Sequence, residues 1–331
     1  MIRSKNRGKN SFLSRVWLTF FAAAIVLAAA VGCTRAAGEA GMGEEDAYTL
    51  PEIMVIVATE RNRYETVYTD QIWTVEVDEA GTTMKDMLLD QIRGFLEDME
   101  VMRLLAESRG IELTASETSQ VYRLAQEYYR TLSTGDLAFI GASEEEIQTL
   151  YERYCLANRL VNELTKDVNL EISDNEAKVI TVQQIVVSSV DTAQDVYSQV
   201  TAEEADFGAI AEEYSEDVEI DRSLGRGEES ESYEAAAFSL EDGQISQPVE
   251  SEGKYYIIKC VNSYDEEATA IRKNQLSLAR KNQAFRSIYD QFKEENPARI
   301  SDELWSQVNF EGGEDCITTN FFDLYREYFP D

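Results

Sequence analysis

None of the 331 residues is histidine, and the four cysteines are scattered. The sequence therefore holds no metal-ligand spacing, no Ser/His/Asp set and no Cys/His pair. This removes most hydrolase mechanisms, and neither a metal nor a cofactor is expected. Side chains that donate and accept hydrogen bonds without titrating near neutral pH remain. The stretch KYYIIK, Lys254 to Lys259, sets Tyr255 and Tyr256 side by side on a predicted strand, and VQQIVV, from Val182, carries Gln183 and Gln184 on another. A tyrosine hydroxyl and a glutamine amide can each act as donor and acceptor.

Charge narrows the range of partners. The chain carries 63 acidic and 30 basic residues, a formal net charge of −33. Arg3, Lys5, Arg7, Lys9 and Arg15 precede every acid, so a chain cut after Gly32 would carry −38. Such a surface repels nucleic acid and anionic headgroups, because neutralising phosphates takes Lys and Arg. The excess acid reads first as solvation of a secreted surface and second as a means of selecting basic partners. No EF-hand spacing supports a calcium site.

Those five cations precede an apolar run from Val16 to Val31, long enough for a signal-peptide core and short of the ~20 residues of a spanning helix. The run ends in Ala30-Val31-Gly32-Cys33, which resembles the bacterial lipobox, although Leu rather than Ala is usual three residues before the cysteine. The resemblance implies cleavage before Cys33, acylation of Cys33 and a protein held outside the cytoplasm on the cell membrane. Simple secretion and an uncleaved anchor helix are the alternatives. Residues 1–33 are thus read as a leader and 34–50 as a tether, with Thr34 to Glu45 rich in Ala, Gly and Glu. Cys155, Cys260 and Cys316 each lie beside apolar residues and are expected as buried free thiols.

Residues 51–178 read as a mainly helical unit that opens with a short hairpin. Ile53 to Val77 is rich in β-branched and aromatic residues, with Glu60 to Arg63 as its turn. Leu88, Ile92, Phe95, Met99, Met102 and Ala106 then mark one face of an amphipathic helix that Gly110 ends. Thr114 with Glu117, Ser143 with Glu146, and Ser173 with Glu176 have capping-box spacing and predict three further helix starts. The apolar faces either form a self-contained bundle or present a concave surface to an extended client chain.

Residues 179–263 change pattern. A strand at VQQIVV is followed by helices through Ala193 to Val200 and Phe207 to Tyr214. Next come a loop at Gly225 and Gly227, a short helix from Tyr233 to Ser239, and strands at ISQPVES and YYIIKCV. That order suits a small α+β domain. The remainder, 264–331, reads as a long polar helix and an aromatic-rich tail expected to pack back on the helical unit.

The segment QQIVV, ADFGAIAEEYSED, LGRGE, AAFSLEDGQISQPVES and YYIIK resembles a parvulin domain, the peptidyl-prolyl isomerase module. The whole chain resembles the PrsA-type foldases and their relative SurA, with RGIELTASE and LVNELTKDVNLEISDNEA matching the helical domain. The resemblance implies a multidomain α+β protein: a helical chaperone-like domain, and a parvulin-like domain whose small antiparallel sheet is flanked by helices. It also implies isomerisation of X–Pro bonds in unfolded or partly folded exported polypeptides. Parvulins place one His on the first strand and one on the last; here Gln184 and Tyr256 correspond. The family's cup Met corresponds to Glu229. Phe238, Gln244 and Ser246 are retained, Tyr233 replaces a Phe, Leu224 stands where Leu or Phe is common, and Tyr255 matches a family aromatic. Gln184 and Tyr256 are thus the catalytic candidates and the other cup positions the substrate-binding ones. The resemblance leaves open a binding chaperone without isomerase activity, or an envelope lipoprotein with one fixed partner.

Overall fold

A computed structural model describes residues 46–330. Cys33, the leader and most of the 34–50 tether lie outside the described residues. The last of the tether is fixed: Tyr48 is buried and its hydroxyl donates to the carbonyl of Leu96 at 2.9 Å. The chain forms two compact units, divided at Asp167/Val168 and at Gln283/Ala284.

The first unit is helical. Its helices are α1 (Leu50–Tyr68), α2 (Met84–Ser108), α3 (Ala115–Thr131), α4 (Thr134–Ile140) and α5 (Glu144–Thr165), with a 3-10 turn at Asp70–Thr74. The hairpin expected at 53–77 is instead α1 and that turn. Thr49 and Glu52 make a full capping box and Pro51 occupies the first turn, so the local start signal is helical. Residues 52–62 are all buried, and a helix enclosed on every side has no polar stripe to reveal its 3.6-residue period. Its β-branched residues therefore looked like a strand. The capping boxes at Thr114/Glu117 and Ser143/Glu146 form as expected, and Ser173 caps the short α6 (Asp174–Ala177) of the second unit through the N–H of Glu176. Two further boxes, Thr83/Asp86 and Ser133/Asp136, start α2 and α4.

The end of the chain completes this core. Helix α12 (Phe321–Tyr328) lays Phe321 flat on Tyr151 at 4.1 Å between ring centres and edge-on to Tyr128 at 5.5 Å. The Tyr151 hydroxyl donates to the Phe321 carbonyl. Buried polar groups hold the segment before α12. Arg61 donates to the carbonyls of Phe310 and Gly312, and Asn62 donates to that of Thr318. Asp136 accepts from the N–H groups of Ile317 and Thr318 at 2.7 and 2.9 Å and from that of Ser133. Burial alone would raise the Asp136 pKa, but the Ser133 hydroxyl and these N–H groups together hold it below the usual carboxylate value. The stability this contributes is present above the ordinary Asp range and is lost as pH falls through the depressed value. A second apolar cluster joins Met102, Leu105 and Leu160 to Phe285 and Tyr289 near the end of α10 (Glu266–Glu295), a helix that contributes to both units.

The second unit is built on an antiparallel sheet in the order β2-β1-β4-β3. Its strands are β1 (Val179–Val187), β2 (Asp221–Gly225), β3 (Val249–Ser251) and β4 (Lys254–Asn262). Strand β2 was not expected; it runs up to Gly225, where the expected loop through Gly227 begins. As a short edge strand of mostly polar residues, it shows no apolar alternation. Alternation along β1 and β4 divides the residues between two faces. Ile185, Val187 and Ile257 pack on α7 (Val190–Val200) and α8 (Phe207–Tyr214). Ile180, Val182, Leu224 and Ile258 pack on α9 (Glu231–Ala237). Cys155, Cys260 and Cys316 are buried free thiols.

Candidate active site

The candidate residues collect on the α9 face of the sheet. Gln184 projects from β1, Tyr256 from β4 and Leu224 from β2, while Tyr233 comes from α9 and Phe238 from its C-cap. The register places Ile258 opposite Gln184, and Tyr256 opposite Val186, so Gln184 and Tyr256 are not direct cross-strand partners. Tyr233 stands between them. Its hydroxyl donates to Gln184 Oε1 at 2.8 Å, and its ring meets Tyr256 edge-on at 5.2 Å.

This geometry changes the role of Gln184. The residue is 2% exposed, and its Nε2 donates to the carbonyl of Glu219 at 3.0 Å. Each end of the buried amide has a partner, so Gln184 holds the Tyr233 hydroxyl in place. Tyr256 is half-buried and its ring edges the open side of the face. Burial, then the charges of Glu229, Glu252 and Asp217, raise its pKa above the ordinary tyrosine value, opposed by Arg222. Burial likewise pushes Tyr233 up to about 12. Both hydroxyls stay protonated at neutral pH and remain donors.

Glu229 does not project as a lone charge into an apolar wall. It receives Arg222 Nη2 at 2.6 Å, and both side chains are half-buried. Reading the sequence alone missed Arg222, yet strand alternation carried a signal for it. Arg222 lies two residues before Leu224 and so shares its face, opposite Val182 in the register. Glu234 was missed as well. From α9 its Oε1 accepts the N–H groups of Gly227, Glu228 and Glu229, at 2.5, 2.8 and 3.1 Å, and so shapes the loop that presents Glu229. Gly227 takes φ +84° within this loop, a conformation that favours glycine. Arg272 closes the loop from behind by donating to Glu228 and to the Arg226 carbonyl. A Cβ at Gly225 would run into that guanidinium.

The other candidates support the frame. Leu224 and Tyr233 are fully buried and form the floor. Phe238 is partly covered, with the Arg226 guanidinium 4.2 Å from its ring centre, while Arg226 itself donates to Asn175. Gln244 is exposed and accepts from the Glu241 N–H, which fixes a turn. Ser246 is buried and its Oγ accepts from the Ile258 N–H on β4. Neither Gln244 nor Ser246 borders the Tyr256 opening through these bonds. Among the described residues no group of His, Cys, Asp or Glu has a metal-holding arrangement.

A four-stranded antiparallel sheet with two helices on one face, and on the other a short helix over a hydroxyl-bearing apolar cup, is a small α+β arrangement similar to that of the parvulin class. Residues 186–262 match the family of the rotamase, or PPIC-type PPIase, domain. The match contains every cup position except Gln184, which lies two residues before it. Beyond this segment the chain is similar to PrsA foldases over part of its length. It is 28% identical over 245 residues to the foldase protein PrsA of Caldanaerobacter subterraneus subsp. tengcongensis, covering 68% of this chain and 74% of that one. Foldase protein PrsA 4 of Bacillus cereus is 34% identical over 114 residues, covering 31% of this chain and 40% of its own. A solved structure of the peptidylprolyl isomerase PrsA from Bacillus cereus aligns over 78% of this chain and 99% of its own, at 18% identity and a TM-score of 0.35.

Proposed function

We propose that this chain is an exported, lipid-anchored foldase. Its helical unit holds unfolded secreted polypeptides, and its rotamase domain turns their X–Pro bonds at the Tyr233/Tyr256 cup. The carrying observation is that this cup keeps an apolar floor, with Tyr233 held by Gln184, and the protonated Tyr256 hydroxyl, although neither family histidine is present. Rotation about an X–Pro bond faces a barrier of ~18–20 kcal/mol and takes tens of seconds unaided. Only shape, exclusion of water and polar groups that favour the twisted amide can lower it. The lipid anchor rests on Ala30-Val31-Gly32-Cys33 behind the apolar run. Mass spectrometry of the mature N-terminus is expected to find an acylated Cys33, and an unmodified residue there would remove the anchor. No helix of the described residues is long and apolar enough to cross a membrane.

In a proline-limited refolding assay, micromolar full-length protein is expected to accelerate the slow phase. Tyr256→Ala should reduce that acceleration about tenfold, the loss expected for one donor and its packing. A wild-type protein that prevents aggregation but leaves the slow phase unchanged would instead be a binding chaperone.

The pH profile is a second test. With no histidine and a Tyr256 pKa raised above its usual value, the catalytic rate should be flat from about pH 6 to 9, because the hydroxyl stays protonated until well into the alkaline range. An inflection near neutrality would place the chemistry on another group.

A further inference from the structure

The Arg222–Glu229 pair has no role in the site described so far. We propose that Arg222 is the polar catalytic group of this cup, held in place by Glu229, while Glu234 is a positioning residue acting through Glu229. This inference rests on the isomerase reading of the site.

The argument begins with the cost of putting the pair there. Replacing a partly buried ion pair with apolar side chains is often neutral or stabilising, so stability alone does not call for charges at a cup rim. Arg222 nevertheless stands on the α9 face in register with Val182 and beside Tyr233, whose ionisation its charge favours. Among the described residues its ion-pair partner is Glu229, bound at Nη2, and it also hydrogen-bonds the Tyr233 hydroxyl, which leaves the remaining donors of the planar guanidinium fork for a ligand. The arrangement is also pre-organised. Three consecutive loop N–H groups converge on Glu234, and Arg272 ties the same loop from behind. A loop fixed at both ends places one carboxylate, and that carboxylate aims one guanidinium.

Amide electronics decide what such a donor would do. As an X–Pro bond twists, the nitrogen lone pair leaves conjugation and becomes basic, while the carbonyl loses negative charge. A donor aimed at the carbonyl oxygen would favour the planar state, whereas one aimed at the prolyl nitrogen favours the twisted state. A guanidinium N–H directed at that nitrogen therefore strengthens its bond only as the barrier is crossed, which is the condition for raising kcat rather than lowering KM. No covalent bond forms or breaks, and the proton stays on arginine, which remains charged throughout.

The test measures exchange of the blocked tetrapeptide Ala-Leu-Pro-Phe by NMR with the full-length protein. Arg222→Met/Glu229→Met, which removes both charges and restores an apolar rim, is expected to keep wild-type thermal stability. It should lower kcat about thirtyfold with KM within threefold. Arg222→Lys should recover only part of the loss, because a point charge lacks the planar fork. Glu234→Gln keeps an acceptor and should lower kcat less than fivefold, whereas Glu234→Ala should approach the double variant. A double variant with wild-type kcat, or with a raised KM alone, would overturn the role of Arg222 while leaving the isomerase reading intact. A wild-type protein that accelerates exchange of no prolyl peptide would instead overturn the isomerase reading, and this inference with it.

Discussion

Phe321→Ala is expected to destabilise the helical unit by about 3–5 kcal/mol, the usual cost of removing a buried phenyl ring from a close-packed core. Phe321 is 1% exposed, is stacked on Tyr151 at 4.1 Å and meets Tyr128 and Phe322 edge-on. The truncation removes three aromatic contacts at once and leaves a cavity between α3, α5 and α12 that rigid helices cannot fill. Trp73 and Trp305 both lie in this unit, so tryptophan fluorescence in a denaturant titration reads its unfolding. Phe321→Leu, which keeps most of the volume, should cost less than half as much. A loss below 1 kcal/mol for the alanine variant would mean that the tail does not complete this core in solution.

The second large effect concerns Gln184. Gln184→Leu should cost about 1–3 kcal/mol, because it strands the buried Tyr233 hydroxyl and removes the part-buried bond to the Glu219 carbonyl. Gln184→Leu combined with Tyr233→Phe removes one stranded group along with its partner and should recover roughly half of that loss. The pair thus separates positioning from catalysis. If Gln184 touched substrate, the single variant would lose rate beyond its loss of folded population, and the double variant would not regain it. The expected outcome is recovery of both together. For the same reason, Gln184→His with Tyr256→His is not a simple restoration. An imidazole at 184 would have to meet both the Tyr233 hydroxyl and the Glu219 carbonyl from one ring.

The legible parts of the site were those encoded locally. LGRGE, AAFSLEDGQISQPVES and YYIIK pointed to the parvulin-class module, and the family match over 186–262 agrees. Alternation along β1 and β4 identified the two faces. The bonds on those faces were not legible. Gln184 reads as a site residue by position, and only the fold reveals that it is buried with a partner at each end of its amide. Glu229 reads as an intruder in an apolar wall until Arg222 is seen beside it. Glu234 has no distinguishing sequence context, since its function is to collect three N–H groups from a loop five to seven residues earlier.

Legible in the amino-acid order alone were the resemblance to a parvulin module, the lack of any histidine, and several helix starts. Each is written in a composition or in a spacing of a few residues, such as Thr114 with Glu117 or Ser143 with Glu146. The fold itself was needed to show that α1 continues as a helix through residues 53–68, which core aromatics the tail meets, and that Arg222, Glu229 and Glu234 are linked through one loop. A helix buried on every side has lost the polar stripe by which its period is read. Contacts such as Arg61 with Gly312, or Tyr151 with Phe321, join residues far apart in the chain. Which side chain faces which across the sheet depends on register, which packing and turns set together rather than any short stretch alone.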